Sequence, residues 1–409
     1  MNRMKVLEGG VTLAKGFMAA SAQAGIKYQG RTDMALVYTK EPAVFAGTFT
    51  TNVVKAAPVQ WDKSLLEKKQ KVHVVVLNSG IANACTGEEG KELNRYMASV
   101  VAKNLQVQTE EVLTASTGVI GMQLAKEPLK KGADLLKENL GDNVEKGHDA
   151  AKAIMTTDTV SKEAGVSFEA EGTTIHVGGM SKGSGMIHPN MATMLSVTTT
   201  DAAIDGEDLQ ELVSEIVSDT FNMISVDRDT STNDTYVVLA NGASGVTIKK
   251  GTKAYDDFKA ALLYVSESLA KQMAADGEGC TRMLEVKVIH SHSKEDAKIL
   301  SKSVITSNLV KTAVFGSDAN WGRILCALGY AGVSFDPEKI DLILQAEGSE
   351  LVLVKDGVAT DYSEETASEL LGKDQVTVIC DMKNGDAQAT AWGCDLTYDY
   401  VKINGDYRS

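Results

Sequence analysis

At 409 residues the chain exceeds the size at which a single hydrophobic core usually stops growing, so two domains are expected. Its formal charge of −14 argues against nucleic acid or an anionic membrane as the main partner. A hydrophobic content of 43% with only five prolines leaves little room for long disordered linkers.

The first 25 residues, MNRMKVLEGGVTLAKGFMAASAQAG, are broken by Glu8, Gly9, Gly10, Lys15 and Gly16, so no continuous apolar stretch of a secretion signal is read there. No window approaches 18 apolar residues, and a cytoplasmic location is the expectation. Strand-like and helical patterns then alternate. KVHVVVLNSG (71–80) predicts a buried strand running into a turn, and ELNRYMASVVAKNL (92–105) a helix. GEDLQELVSEIVSDTFNMI (206–224) predicts a helix with Leu209, Leu212, Val213, Ile216 and Val217 on one face. DTYVVLANG (234–242) predicts a strand closed by Asn-Gly. The longest helical pattern, 255–277, ends on Gly277 in the place of a C-terminal cap. A strand at 283–293 and a hairpin at 341–357, turning at Glu347-Gly348, follow. The domain change falls near 283–300, and the architecture is mixed α/β.

The five cysteines (Cys85, Cys280, Cys326, Cys380, Cys394) form no CxxC pair, and their odd number fits no complete disulfide framework. Reduced thiols are the expectation. Neither Cys85 nor Cys280 has an activating base beside it in sequence, so neither reads as a nucleophile. The six histidines show no HExxH. His290 and His292 would share one face of a strand, with no further ligand near them, and no metal site is expected. DRDTSTNDT lacks the Gly and final Glu of an EF-hand and reads as a polar loop supporting a site. Trp321 and Trp392 read as core or interface residues.

Chemistry concentrates in GGMSKGSGMIHPNMATML (178–195). Its glycines allow close backbone approach or positive φ. A phosphate cradle is the first thought, but Lys182 precedes its Gly, and GxGxxG is absent. Pro189 fixes its own φ and pushes His188 toward extended geometry. Ala192 leaves its carbonyl open to the Thr193 hydroxyl, which could attack it and shift the acyl group from nitrogen to oxygen. Hydrolysis of that ester would free the Thr193 α-amine, whose pKa of about 8 suits it as local base for the hydroxyl. Locally, a Gly-rich turn feeding an ordinary core strand is the plainer reading.

The stretch resembles the autoprocessing segment of the ornithine acetyltransferase family, the bifunctional glutamate N-acetyltransferase/amino-acid acetyltransferases of arginine biosynthesis. The likeness covers the whole chain. It includes LNSGIANACTG (77–87), ASTGVIG (115–121), MTTDT (155–159), SVDRDTSTNDT (225–235), DGEGCTR (276–282), GSDANWGRILCALGYAG (316–332) and NGDYRS (404–409). It implies self-cleavage between Ala192 and Thr193 into chains 1–192 and 193–409, with Thr193 as the acetyl-carrying nucleophile. Thr117 and Gly118 match the family's oxyanion pair. Thr156, Lys182, Thr193, Glu278, Asn404 and Ser409 match positions that contact the amino-acid substrate; Lys182 is assigned to its carboxylate and Glu278 to its ammonium. The family fold implied is a self-cleaved, N-terminal-nucleophile-like αββα sandwich (1–284) with a smaller αβ domain (285–409), assembled as an α2β2 heterotetramer.

The activity this resemblance implies is acetyl transfer from N2-acetylornithine to glutamate through acetyl-Thr193. In bifunctional members acetyl-CoA replaces N-acetylornithine as donor; it is a substrate there, and no cofactor is implied. Two rivals stand beside it. A self-processing aminopeptidase or amidase of the same fold would pass the acyl group to water. A non-catalytic module would only hold an anion in the Gly-rich loop and would remain uncut.

Overall fold

The computed structural model describes residues 4–188 and 194–406. The chain divides into two compact units, Met1–Gly183 with Pro189–Asn222 and Thr230–Leu269, and Ser184–His188 with Met223–Asp229 and Ala270–Ser409. Both are mixed α/β.

The first unit is built on a nine-stranded sheet. Its order runs Lys5–Leu7, Lys162–Ala170, Thr173–Lys182, Leu195–Thr200, Thr235–Ala240, Met34–Phe49, Val72–Asn78, Val112–Ser116, with Phe17–Ala22 also paired to Met34–Phe49. The 16-residue strand Met34–Phe49 serves both halves. Its first part pairs with Phe17–Ala22 and Val72–Asn78, and its second with Thr235–Ala240. Lys40, Glu41 and Pro42 lie exposed between these parts, where the register toward Val72–Asn78 shifts. A proline without an N–H is tolerated at such an irregularity, not in an unbroken ladder.

Two pairs of parallel strands are joined by crossover helices. Gly87–Leu105 links Val72–Asn78 to Val112–Ser116, and Gly206–Asp219 links Leu195–Thr200 to Thr235–Ala240. The Val-rich run at 72–77 is apolar without alternation because both faces are covered. Val74 and Val76 pack with Leu93, Met97 and Val101, whereas Val75 and Leu77 join a cluster with Val37, Leu113, Val197, Val237 and Leu239. That second cluster draws on both halves of the sheet. The five apolar residues foreseen on the Gly206–Asp219 helix are all buried, each contributing about 1.5–3 kcal/mol relative to exposure. This helix is shorter than its pattern suggested. It stops at Asp219, Thr220 turns its hydroxyl onto the Ile216 carbonyl at 2.7 Å, and a 3-10 turn leads into a short strand, Ile224–Ser225.

The second unit holds a seven-stranded sheet in the order Ile224–Ser225, Ala387–Cys394, Met283–Ser291, Gln375–Asp381, Asp341–Ala346, Ser349–Lys355, Val358–Ala359. The expected hairpin is present. Glu347 (φ 48°) and Gly348 (φ 80°) form its two-residue turn, and positive φ at both matches the strand twist. Two readings need correction. The helix Lys253–Ala275 ends before Gly277, whose φ is not positive; a Cβ there would stand 2.7 Å from Cys394 Sγ, so this glycine serves packing and not capping. His290 and His292 do not share a strand face. Pairing becomes irregular between Val288 and Ser291, His290 has φ 51°, and its Nδ1 lies 2.9 Å from Asp381 Oδ1. Trp392 is buried and donates to Glu285 at 2.7 Å, while Trp321 is partly exposed at the start of the Trp321–Gly329 helix. Among the described residues, no helix is long and apolar enough to cross a membrane.

Candidate active site

The parallel strands Val72–Asn78 and Val112–Ser116 end side by side, and each continues into a turn, Ser79-Gly80 and Thr117-Gly118. The two turns are laced together. Thr117 N–H donates to Asn78 O at 3.0 Å and Val119 N–H to Gly80 O at 3.1 Å. Between them, the Gly118 N–H finds no acceptor among the described residues. Gly118 has φ 131° and only partial exposure. A backbone donor held between two committed neighbours is preorganised for an incoming acceptor. Asn233, from the DRDTSTNDT loop, fixes the assembly from below through bonds to Ala82 O (2.6 Å) and Ser116 O (2.8 Å).

Lys182 closes the Thr173–Lys182 strand with a buried side chain. Its Nζ donates to Thr156 Oγ1 at 3.0 Å and to Thr117 Oγ1 at 3.5 Å. Both hydroxyl oxygens therefore act as acceptors, which leaves their hydrogens free for a bound molecule. Asp158 organises this corner. Its carboxylate accepts from Lys162 Nζ (2.8 Å), Gly183 N (2.7 Å) and Thr156 N (3.0 Å), and stands 3.8 Å from Lys182 Nζ. Burial would push this carboxyl up, but the Lys182 and Lys162 charges and the Lys162 hydrogen bond outweigh it and hold it well below the usual range. Arg31 braces the same loop by donating to Met155 O at 2.5 Å and Thr156 O at 3.3 Å.

Two lysines thus flank one buried carboxylate. Asp234 also lies within reach of the Lys182 charge. Complete burial raises its carboxyl well above the usual range despite that charge and its hydrogen bonds.

In the second unit, Asn404 Nδ2 donates to Glu278 Oε2 at 2.7 Å, and the Glu278 N–H donates to Ser184 O at 2.8 Å. Gly185 makes room for this carboxylate, since a Cβ there would lie 2.2 Å from Glu278 Cδ. The segment leading to Pro189 is anchored by Asp227, which accepts from Met186 N (2.7 Å) and Ile187 N (2.9 Å). His188 Nδ1 lies 3.0 Å from Ser225 Oγ, and burial with the Lys302 and Arg228 charges pushes its imidazole down to about 4, so it is neutral at pH 7.

The structure therefore brings Thr117, Gly118, Thr156 and Lys182 together in one unit, and Glu278 and Asn404 together in the other. Ala192, Thr193 and Ser409 lie outside the described residues. The glycines at 178 and 179 cradle no anion. Cβ atoms there would meet Gly10 O at 2.1 Å and Thr198 Oγ1 at 2.7 Å, so they permit close packing of backbone. Sequence reasoning missed Asp158, Lys162 and Asp227. The spacing of Asp158 and Lys162 by four in TTDTVSK was the available signal, and it is weak outside a helix.

Residues 18–409 match the ArgJ family. The chain is 49% identical over 407 residues to the arginine biosynthesis bifunctional protein ArgJ of Caldanaerobacter subterraneus, spanning 99% of this chain and 100% of that one. It is 46% identical over 414 residues to the glutamate N-acetyltransferase of Methanocaldococcus jannaschii, spanning 99% and 100%. A crystal structure of arginine biosynthesis bifunctional protein argJ from Bacillus halodurans is 43% identical, with a TM-score of 0.48 over 51% of this chain and 96% of that one. The motifs, the family match and the full-length identities agree, and the chain belongs to the ArgJ family.

Proposed function

We propose that this acyltransferase moves the acetyl group of N2-acetylornithine to glutamate by way of Thr193, and that it also makes N-acetylglutamate from acetyl-CoA and glutamate, serving arginine biosynthesis in the cytoplasm. The observation that carries this reading is the Gly118 N–H, without an acceptor among the described residues, beside a Thr117 hydroxyl that accepts from Lys182 Nζ. In the first half-reaction the Thr193 hydroxyl attacks the acetyl carbonyl while the Thr193 α-amine takes its proton. Thr117 and Gly118 hold the developing oxyanion. The C–N bond then breaks, ornithine takes up the proton and leaves, and the acetyl ester remains on Thr193. The amine of glutamate attacks this ester, and the Thr193 hydroxyl is restored.

Lys182 and Thr156 suit the substrate carboxylate, and Glu278, steered by Asn404, suits the ornithine ammonium; Ser409 completes the set assigned from the family. The fold in this reading is an αββα sandwich over 1–284 with a smaller αβ domain over 285–409, and the cleaved chains assemble as α2β2. The sharing of one apolar cluster by both halves of the large sheet favours a sandwich. The test is a denaturing gel with N-terminal sequencing of protein expressed alone. Two polypeptides of 192 and 217 residues are expected, the second beginning Thr-Met-Leu-Ser, and Thr193→Ala should stay uncut and inactive. Recovery of active, full-length protein alone would sink the mechanism.

A further inference from the structure

The large sheet of the first unit has an edge that is only partly covered. Just beyond the strand Met34–Phe49, Thr50 N–H donates to Asp234 O at 3.0 Å, so residues 44, 46 and 48 turn their main-chain groups toward Thr235–Ala240. Alternation turns those of Phe45 and Gly47 the opposite way. Gln210, on the Gly206–Asp219 helix, covers Gly47. Its Oε1 accepts from Gly47 N at 3.0 Å, and its Nε2 donates to Gly47 O at 3.1 Å. A side-chain amide thus stands where the amide of a neighbouring strand would.

Phe45 has no such cover. Pairing with Val72–Asn78 stops at Ala43, and neither the Phe45 N–H nor its carbonyl has a partner among the described residues outside the strand ladders. The residue is buried, and a buried main-chain donor and acceptor need partners. Phe45 borders a cavity of about 580 Å³ that Gln210 also lines. Val44 and Leu66 give the cavity its apolar surface, and its two sides carry opposite charge. Lys69 and Lys71 stand on the chain leading into Val72–Asn78, whereas Asp205, Glu207 and Glu211 stand at the start of the helix. Lys69 pairs with Glu207 at 2.6 Å and Glu211 with Lys250 at 2.5 Å. The Lys71 ammonium has no partner among the described residues.

We propose that this cavity is a second binding site, for an N-acylated amino acid with a cationic side chain. It shares no lining residue with the site around Thr117 and Lys182. The secondary amide of such a molecule offers one N–H and one C=O, which pair with Phe45 O and N as a strand residue would. Its carboxylate meets Lys71, and its ammonium meets the acidic side. A free amino acid lacks the amide. An N-acylated acidic one would set a second carboxylate against Glu207 and Glu211. N2-Acetylornithine carries all three groups, and its choice as the probe rests on the function proposed above.

The experiment is hydrogen–deuterium exchange of the full chain, resolved to single amides. Without a ligand, the Phe45 amide should exchange faster than those of Ala46 and Gly47. N2-Acetylornithine at about ten times its Kd should slow it roughly tenfold, and ornithine at the same concentration should not. Lys71→Glu, a change at an exposed residue, should weaken probe binding about tenfold, and Lys71→Arg should preserve it. Exchange at Phe45 that the probe leaves unchanged up to about 10 mM overturns the site. Equal protection by ornithine, or in Lys71→Glu, overturns it too. Protection that grows with protein concentration in the absence of probe would mean that a strand of a second copy covers the edge, and it has the same force. A chain that fails to transfer acetyl from N2-acetylornithine while the probe still protects Phe45 would sink the proposed function and leave this site standing.

Discussion

Gly118 packs so tightly on Gly80 that a Cβ at residue 118 would stand 2.2 Å from the Gly80 carbonyl carbon and 2.4 Å from its oxygen. With φ at 131°, residue 118 also holds a conformation that side chains disfavour. The contact presents the Gly118 amide, which has no acceptor among the described residues, because it lets the two turns share hydrogen bonds on either side of it. Gly118→Ala is expected to lower stability by about 3 kcal/mol, from backbone strain together with overpacking. Urea unfolding should show a lower midpoint at an unchanged slope, and kcat should fall with it. An unaltered midpoint would mean that the close approach of residues 80 and 118 is not a feature of the folded protein.

Thr117 should act in the transition state more than in substrate binding. Thr117→Ala is expected to lower kcat by roughly 10²–10³-fold, the cost of one preorganised oxyanion donor. KM for N-acetylornithine should change far less, and Thr117→Ser, which keeps the hydroxyl, should retain most activity. A tenfold rise in KM at unchanged kcat would instead place Thr117 against ground-state substrate.

Asp158 gives the site its pH dependence of stability. Its folded pKa lies below the unfolded value of about 3.9. A carboxylate depressed in this way contributes stability that is fully present above the unfolded pKa and drains away as pH falls through the folded one. Asp158→Asn should therefore destabilise the protein near neutrality by about 3–5 kcal/mol, since two buried lysines lose their shared anion. Below about pH 4 the mutant's stability should fall less steeply with acid than that of the parent. Parallel stability curves down to pH 2 would contradict the role given to this carboxylate.

The fold was legible wherever local chemistry and tertiary context agree. The Gly206–Asp219 helix announced its buried face through apolar spacing, and the Glu347-Gly348 turn through its residue types. Gly277 misled because a glycine after a helical pattern suits both a cap and a close packing contact, and only the position of Cys394 tells them apart. The candidate site was legible through its motifs, not through spacing. Lys182, Thr156 and Thr117 are remote in sequence, and the sheet that ends one strand on Lys182 and another just before Thr117 brings them together. Asp158 and Asp227 escaped notice because an acidic residue in a polar loop is ordinarily solvated. The importance of Asp158 follows from burial and from the amides and lysines it satisfies, and that of Asp227 from the amides it holds.

Transfer and hydrolysis differ in what happens to acetyl-Thr193 when no acceptor is present. If one site serves N-acetylornithine and glutamate in turn, the kinetics are ping-pong. Initial rates against N-acetylornithine at several fixed glutamate concentrations should then give parallel double-reciprocal lines. Without glutamate, the 193–409 chain should gain the mass of one acetyl group, located on the peptide that begins at Thr193. Lys182, buried and bonded to the Thr156 and Thr117 hydroxyls, suits the carboxylate of an acceptor and so favours transfer over loss to water. An amidase would turn over steadily without glutamate. A ternary-complex transferase would give intersecting lines and no acetylated chain, which would also remove the nucleophilic role of Thr193.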